Sequence, residues 1–391
     1  MSILNKFHSQ DSTIALHQDL ILEVETLSQG RYADALAIYD NQRIYVHGAL
    51  PEEKLKVQLQ NEFRTGQWKA KILKIKKASE HRRKAACQHF EECGACQIQH
   101  WNYDYQLAWK HKLLLQLLET SSLWPKVKDL HIQVMAAPSE YSYRQHARLS
   151  VNNKKPAFFE AGSRKAVGLN ECPVMSEALF AFACKEASRY ERPSSLRLLD
   201  PLEFEGSSFE FIYGSRIPVG TQSFIQPNLD VARMIGYRLE KICSENSQKH
   251  LALDLFCGSG NFTSLLARHF SKVLAVDECA EAIELARRVN PAIDWATLKT
   301  DAFLAQLEKK KDLSIDFCFL DPPRDGAFLA LPSLKRLKPS TIAYLSCRPD
   351  SLIRDLTRLA KDHQYRIQDW IMIDLLPQTL HIENLVVLKI S

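Results

Sequence analysis

Cys347, in Tyr344-Leu345-Ser346-Cys347-Arg348-Pro349, ends a short apolar run and is followed closely by a proline. The run 341–345 reads as a strand that leads into a helix opened by Pro349-Asp350. A thiol at such a junction is placed to act as a nucleophile, and the dipole of the following helix is expected to lower its pKa. Taken alone, a cysteine in this setting is more often a small buried hydrophobe, so the rest of the chain has to decide.

A second group is Cys87-x5-Cys93-x2-Cys96, three thiols in a stretch without helical periodicity. Thiolates this close repel one another unless a cation shares them. Structural zinc usually takes paired Cys-x2-4-Cys ligands, and a single such pair occurs here. An iron–sulfur cluster accepts three nearby cysteines with a fourth from farther along, and Cys172, in Asn170-Glu171-Cys172-Pro173, is the candidate. The spacing favours iron–sulfur and leaves zinc open. Cys184, Cys243, Cys279 and Cys318 fall in apolar periodic stretches and are expected in cores.

The third group surrounds Asp254-Leu255-Phe256-Cys257-Gly258-Ser259-Gly260-Asn261-Phe262, which follows an apolar strand and opens a helix. Gly258 and Gly260 permit a tight turn and the close approach of a ligand. A third glycine is missing where a dinucleotide fingerprint needs one. Asp277 ends the next strand, where a carboxylate accepts hydrogen bonds from ribose hydroxyls. Asp301 follows the third strand and is suitably placed near an adenine. An adenosine-containing cofactor is expected, with an ordinary α/β turn as the alternative. Asp321-Pro322-Pro323-Arg324-Asp325-Gly326 ends the fourth strand at the ligand-binding edge, where Asp321 can meet a base or the cofactor. Ser223-Phe224-Ile225-Gln226-Pro227-Asn228 precedes a long helix, with Pro227 expected in its first turn. His381 and Glu383, by themselves, would be polar residues at a strand end.

The elements that must position these groups fall into three regions. Short strands at 20–27, 35–39, 43–46, 54–60 and 68–75 suggest a small OB-like barrel over residues 15–80, with a hairpin turn at Asp40-Asn41 and a bulge near Leu73. From Lys54 to Lys84 there are eleven Lys or Arg against two Glu, a candidate contact for a phosphate backbone or else a solvated sheet face. Residues 81–235 hold the cysteines and a packing helix from Tyr103 to Glu119, with Tyr103, Leu107, Leu114 and Leu118 on one face. They also hold Arg and Lys interleaved with aromatics, as in Tyr143-Arg144-Gln145-His146-Ala147-Arg148, a pattern able to grip folded RNA. Residues 236–391 alternate strands (251–256, 272–277, 315–320, 341–345, 385–390) with helices, which predicts a doubly wound α/β sheet.

Composition sets the outer limits. At 391 residues the chain has room for two or three cores. A charged fraction of 25% with 46% hydrophobic residues fits a globular protein, and no apolar run nears the roughly 20 residues of a membrane span. With no signal-peptide core in the first residues, a cytoplasmic protein is expected, in which ten cysteines serve as thiols or ligands rather than disulfides.

Several of these motifs resemble known families. Gly30-Arg31-Tyr32-Ala33 and Val46-His47-Gly48-Ala49-Leu50-Pro51-Glu52-Glu53 resemble the TRAM domain, an RNA-binding module. Asp254-x3-Gly258-x-Gly260 resembles the S-adenosylmethionine loop of class I methyltransferases. Cys87…Cys93-Gly94-Ala95-Cys96-Gln97-Ile98-Gln99-His100, followed by Tyr105-Gln106-Leu107 and Lys110, resembles the RNA uracil-5-methyltransferase family in its branch with a [4Fe-4S] cluster. The Cys347 motif matches that family with Arg348 where Asn is usual, and Ala95 replaces a usual glycine.

The resemblance implies an S-adenosyl-L-methionine-dependent enzyme acting on C5 of uridine in RNA, with Cys347 as nucleophile and Glu383 as base. It implies cofactor contacts from Gln226, Phe256, Asn261, Asp277, Asp301 and Asp321, and a [4Fe-4S] cluster on Cys87, Cys93, Cys96 and Cys172. Relatives with both barrel and cysteines act mostly on large-subunit ribosomal RNA, so 23S rRNA is the expected partner; no protein partner or membrane is implied. A tRNA uracil-5-methyltransferase and a non-catalytic RNA-binding or redox-sensing relative are the alternatives.

Overall fold

The computed structural model describes residues 19–24, 26–27, 34–205, 208–210, 216–220, 225–361 and 364–391. Gly30-Arg31-Tyr32-Ala33 and Ser223-Phe224, which carry part of the motifs above, lie outside the described residues. The chain divides into two compact units, residues 1–85 with 97–105, and residues 86–96 with 106–391.

In the first unit six strands pair in the order Asp19–Glu23, Lys54–Arg64, Gln67–Lys77, Gln42–Val46, Ala35–Tyr39 and Thr26–Leu27. Strand alternation sorts the faces: Leu55, Val57 and Leu59 are fully buried, while Lys54, Lys56 and Gln58 keep contact with solvent. Asp40 and Asn41 both take positive φ, which suits the two-residue turn between Ala35–Tyr39 and Gln42–Val46. The bulge expected near Leu73 is present. Lys56 pairs with Lys74 and Val57 with Ile72, which leaves Leu73 as the extra residue.

In the second unit one sheet dominates. Its strands are β1 (Leu251–Leu255), β2 (Lys272–Asp277), β3 (Asp294–Thr297), β4 (Phe317–Leu320), β5 (Thr341–Ser346), β6 (Tyr365–Ile373) and β7 (Glu383–Ile390). They lie in the order β3-β2-β1-β4-β5-β7-β6, with Gln133–Met135 added in parallel beyond β6. Strands β1 to β5 are mutually parallel, and β7 runs antiparallel between β5 and β6. This is the doubly wound sheet expected, and its order reverses between β1 and β4, where such sheets bind ligands. Every residue of β1 is buried, as a central parallel strand requires. Strand β6 was not expected, because Arg366, Gln368 and Asp369 interrupt its apolar run and its register shifts between Ile367 and Asp369.

The helix Tyr103–Glu119 has the predicted bounds, but its buried stripe differs. Gln106, Lys110, Leu114 and Leu118 are buried, while Tyr103 and Leu107 are half-exposed. Two polar side chains go inside because partners meet them there: Lys110 Nζ lies 2.7 Å from Asp374 Oδ1, and Gln106 Nε2 donates to Gln378 Oε1 at 2.9 Å. The helix Leu229–Ser244 is capped by Asn228, which accepts from the Val231 amide, so Pro227 precedes the cap rather than entering the first turn.

A four-stranded antiparallel sheet, ordered Ala166–Gly168, Lys155–Phe159, His146–Asn152 and Ser195–Leu199, packs its Ala147, Leu149 and Val151 against Leu179 and Ala183 of the helix Glu177–Ala187. Cys243 and Cys318 are buried as expected, but Cys184 and Cys279 are half-buried. Cys184 lies off the buried face of its helix, and Cys279 is the N-cap of Ala280–Val289 at the sheet edge. No helix of the described residues is long and apolar enough to cross a membrane.

Candidate active site

The carboxyl ends of β1, β2, β4 and β5 open onto a cavity of about 820 Å³. Gln226, Phe256, Asn261, Asp277, Asp301, Asp321, Cys347 and Glu383 all line it. The placement of Glu383 follows from strand direction. Because β7 runs antiparallel to β5, its first residue lies where β5 ends, and Ser346 pairs with Asn384. Cys347 and Glu383 thus leave neighbouring strands at the same edge.

The loop after β1 is shaped by backbone conformations that few residues accept. Phe256 has φ of +63°, an uncommon choice for a bulky side chain, and Gly260 has φ of +88°. A Cβ on Gly260 would stand 2.6 Å from the Trp295 ring. The Asp277 carboxylate is held at the end of β2 by the Gly258 amide (2.9 Å) and the Cys279 amide (2.8 Å). Asp254 accepts from Thr263 Oγ1 on one oxygen. Its other oxygen, Asn261 Oδ1 and Ser259 Oγ are buried without a hydrogen-bond partner among the described residues, and all three residues line the cavity. Buried polar atoms in this state call for a ligand that supplies the missing partners. The ammonium and hydroxyls of an S-adenosylmethionine fit that need.

The electrostatics of the cavity are set by its carboxylates. Burial pushes Asp254 up to about 7 against the Thr263 hydrogen bond, with Asp321 and Asp277 adding to the rise. Asp321 is pushed up to about 7 by burial and Asp277. Glu383 is raised well above the usual carboxylate range by burial, then by Asp321. The Cys347 thiol is pushed up to about 11 by burial, then by Glu383 and Asp321, with Arg324 pulling it down.

The expected lowering of this thiol by the helix dipole is therefore overturned: burial and two carboxylates outweigh the terminus of the helix Pro349–Leu359. Arg348, which stands where the resembling motif usually has Asn, is the N-cap of that helix and supplies no side-chain cap. Its amide instead meets Ser346 Oγ at 3.3 Å, and its guanidinium lies 3.8 Å from Asp350. His381 is solvent-exposed at the cavity wall, and partial desolvation, then Arg324, Lys110 and Arg144, lower its pKa, so its imidazole is neutral at pH 7.

Cys87, Cys93, Cys96 and Cys172 are all half-buried. The two loops that bear them are tied together: the Gln88 amide donates to Glu171 Oε1 at 2.8 Å and the Asn170 amide to His89 Nε2 at 3.0 Å. Gly94 donates to the Phe159 carbonyl at 2.9 Å, and a Cβ there would stand 2.7 Å from the Ala161 nitrogen. Burial raises the Cys87, Cys93 and Cys172 thiols, and Cys172 raises Cys87, Cys87 raises Cys93, and Cys93 raises Cys172. A set of thiols that repel on ionising suits a positively charged iron–sulfur core. Among the described residues, no three His, Cys, Asp or Glu side chains form a group arranged around a single ion.

The sequence motifs did not reveal what supports segment 374–379, which carries Leu375 and Leu376 into the cavity. Lys110 pairs with Asp374, Asn228 Nδ2 donates to the Leu375 carbonyl at 3.1 Å, and Tyr143 Oη donates to the Pro377 carbonyl at 2.9 Å. The signal was divided between two motifs about 270 positions apart, and neither states that they touch.

Residues 210–391 match the family profile described as tRNA (Uracil-5-)-methyltransferase. A Shewanella sediminis protein named 23S rRNA (uracil(1939)-C(5))-methyltransferase RlmD is 28% identical over 97% of this chain and 98% of its own length. A Pseudomonas fluorescens protein of the same name is 29% identical over 91% of each chain. Among solved structures, the Pyrococcus abyssi tRNA (uracil-54, C5)-methyltransferase in complex with S-adenosyl-L-homocysteine shares the fold with a TM-score of 0.67 at 23% identity, covering 94% of this chain and 99% of its own.

Proposed function

We propose that the chain is a member of the RNA uracil-5-methyltransferase family and that it methylates C5 of one uridine in 23S ribosomal RNA, with Cys347 as nucleophile and Glu383 as base. The observation that carries the reading is the convergence of Cys347 and Glu383 at one sheet edge, on the same cavity as the loop after β1.

C5 of uracil is a weak nucleophile, and addition of the Cys347 sulfur at C6 makes it enolate-like. Gln226, Phe256, Asn261, Asp277, Asp301 and Asp321 line the cavity and would hold S-adenosyl-L-methionine, which would supply an electrophilic methyl group to C5. Glu383 then takes the C5 proton, the C5–H electron pair re-forms the C5–C6 double bond, and the Cys347 thiolate leaves. The uridine must leave its stack to reach the cavity, at a cost of a few kcal/mol. Arg324, the group that lowers the thiol, sits on the cavity wall and favours the thiolate that addition requires.

Cys87, Cys93, Cys96 and Cys172 would hold a [4Fe-4S] cluster that fixes the loops bearing them, since methyl transfer needs no electron. The N-terminal strands at 15–80 and the basic residues of 81–235 would hold flanking RNA.

The ribosomal reading is supported by relatives of nearly the same length named for 23S rRNA. The transfer RNA reading has its own support in the fold shared with the Pyrococcus abyssi enzyme. Purified protein with labelled S-adenosylmethionine should methylate a 23S rRNA transcript, and mass mapping should place the label on uracil C5. Label on tRNA instead would select the second reading, and label on neither would overturn both. The cluster should give a broad visible absorption that bleaches with reductant and is lost in Cys172→Ser; a colourless protein containing zinc would overturn it.

A further inference from the structure

The mouth of the cavity carries a feature that the reaction above does not use. After Asp321-Pro322-Pro323-Arg324 the chain turns through Gly326, at φ of +78°, and presents Phe328 and Leu329 at the rim, 39% and 71% exposed. Isolated exposed apolar residues are ordinary, but these two stand on a loop that is clamped in place. The fully buried carboxylate of Asp355 accepts from the Ala327 amide (2.7 Å) and from Tyr344 Oη (2.7 Å). Ser351 Oγ donates to the Arg324 carbonyl at 2.9 Å, and Arg354 Nη2 to the Asp325 carbonyl at 2.7 Å. A Cβ on Gly326 would collide with the Asp355 carboxylate.

Two arginines complete the rim. The guanidinium of Arg358 lies 3.8 Å from the Phe328 ring centroid and that of Arg354 lies 5.1 Å from it. Both are exposed; Arg354 Nη2 lies 2.8 Å from Asp355 Oδ1, whereas the Arg358 guanidinium makes no ion pair or hydrogen bond among the described residues. A rigid apolar lip beside an unpaired arginine matches the way proteins hold single-stranded RNA. A base packs on the apolar surface while guanidinium groups take its phosphate.

We propose that Phe328 and Leu329, with Arg354 and Arg358, seat a nucleotide adjoining the uridine that enters the cavity, its base on the apolar lip and its phosphate on the arginines. This rests on the RNA reading above, since a base drawn into the cavity brings its neighbours to this mouth.

The test is binding of a 23S rRNA transcript to the full chain at several salt concentrations, with S-adenosylmethionine affinity measured in parallel by calorimetry. Leu329→Ala, at an exposed position, and the double variant Phe328→Ala/Leu329→Ala should weaken RNA binding, the double variant on the order of tenfold. Arg358→Ala should reduce the slope of log affinity against log salt by about 0.7. Cofactor affinity should not move. Unchanged RNA affinity in the double variant overturns the seat, and so does a parallel loss of cofactor affinity, which would assign the lip to the cofactor site. Wild-type protein that binds the transcript without methylating it counts against the proposed reaction and not the seat. Wild-type protein that binds no RNA overturns both.

Discussion

Pushed up to about 11, first by burial, the Cys347 thiol keeps its proton at pH 7 in the ligand-free protein. The groups that hold the proton on sulfur are Glu383 and Asp321 as well as burial, so the proposed base also suppresses the nucleophile until a cation enters the cavity. Glu383→Gln separates these two roles. It removes a group that raises the thiol, so addition to C6 proceeds. It also removes the acceptor for the C5 proton, so elimination stalls and turnover falls on the order of 10²–10⁴-fold. A covalent protein–RNA adduct that survives denaturing electrophoresis should accumulate in Glu383→Gln and be absent from Cys347→Ala and from Cys347→Ala/Glu383→Gln. Wild-type turnover in Glu383→Gln would remove it from the mechanism.

At the scale of elements, the turn between β6 and β7 depends on a side chain from a distant helix. Lys110 and Asp374 are both fully buried; Lys110 meets Asp374 Oδ1, and Asp374 Oδ2 has no hydrogen-bond partner among the described residues. Removing the lysine alone leaves an unpaired carboxylate inside the protein, a change that costs about 3–5 kcal/mol. Replacing both members with apolar residues of similar volume is often neutral. Lys110→Met should therefore lower stability in urea denaturation by about that amount, and Lys110→Met/Asp374→Leu should recover most of it. Equal stability of Lys110→Met and wild type would show that the pair contributes nothing to holding segment 374–379.

For the whole molecule, the cavity carboxylates link stability to pH and to the charge of the ligand. Asp254 and Asp321 titrate near 7 in the folded chain against an ordinary value of 3.8. Between those values the folded chain binds more protons than the unfolded one, so their contribution to stability falls as pH rises from about 4 through 7. A cationic ligand in the cavity offsets that loss, and a neutral one of the same shape does not. S-adenosylmethionine should therefore raise the melting temperature more at about pH 8 than at about pH 5.5, and S-adenosylhomocysteine should show a smaller difference. Identical pH dependence for the two ligands would mean that the carboxylates do not sense the sulfonium.

Much of this site was legible in the chain, because it is built from local motifs: a strand, a loop of special residues and the start of a helix. Asp254 to Asn261, Asp321 to Gly326 and Cys347 each announce a strand end, and alternating strand and helix signals place all three at one edge of a parallel sheet. The bulge at Leu73 and the bounds of the helix Tyr103–Glu119 were likewise readable from periodicity. Tertiary structure alone decided what depends on contacts between distant segments. The antiparallel insertion of β7 puts Glu383 beside Cys347, and burial with neighbouring carboxylates reverses the expected pKa of the thiol. Lys110 looks like a surface residue until Asp374 meets it inside. Local pattern specifies backbone conformation, whereas burial and electrostatic environment are sums over neighbours that the chain brings together only when folded.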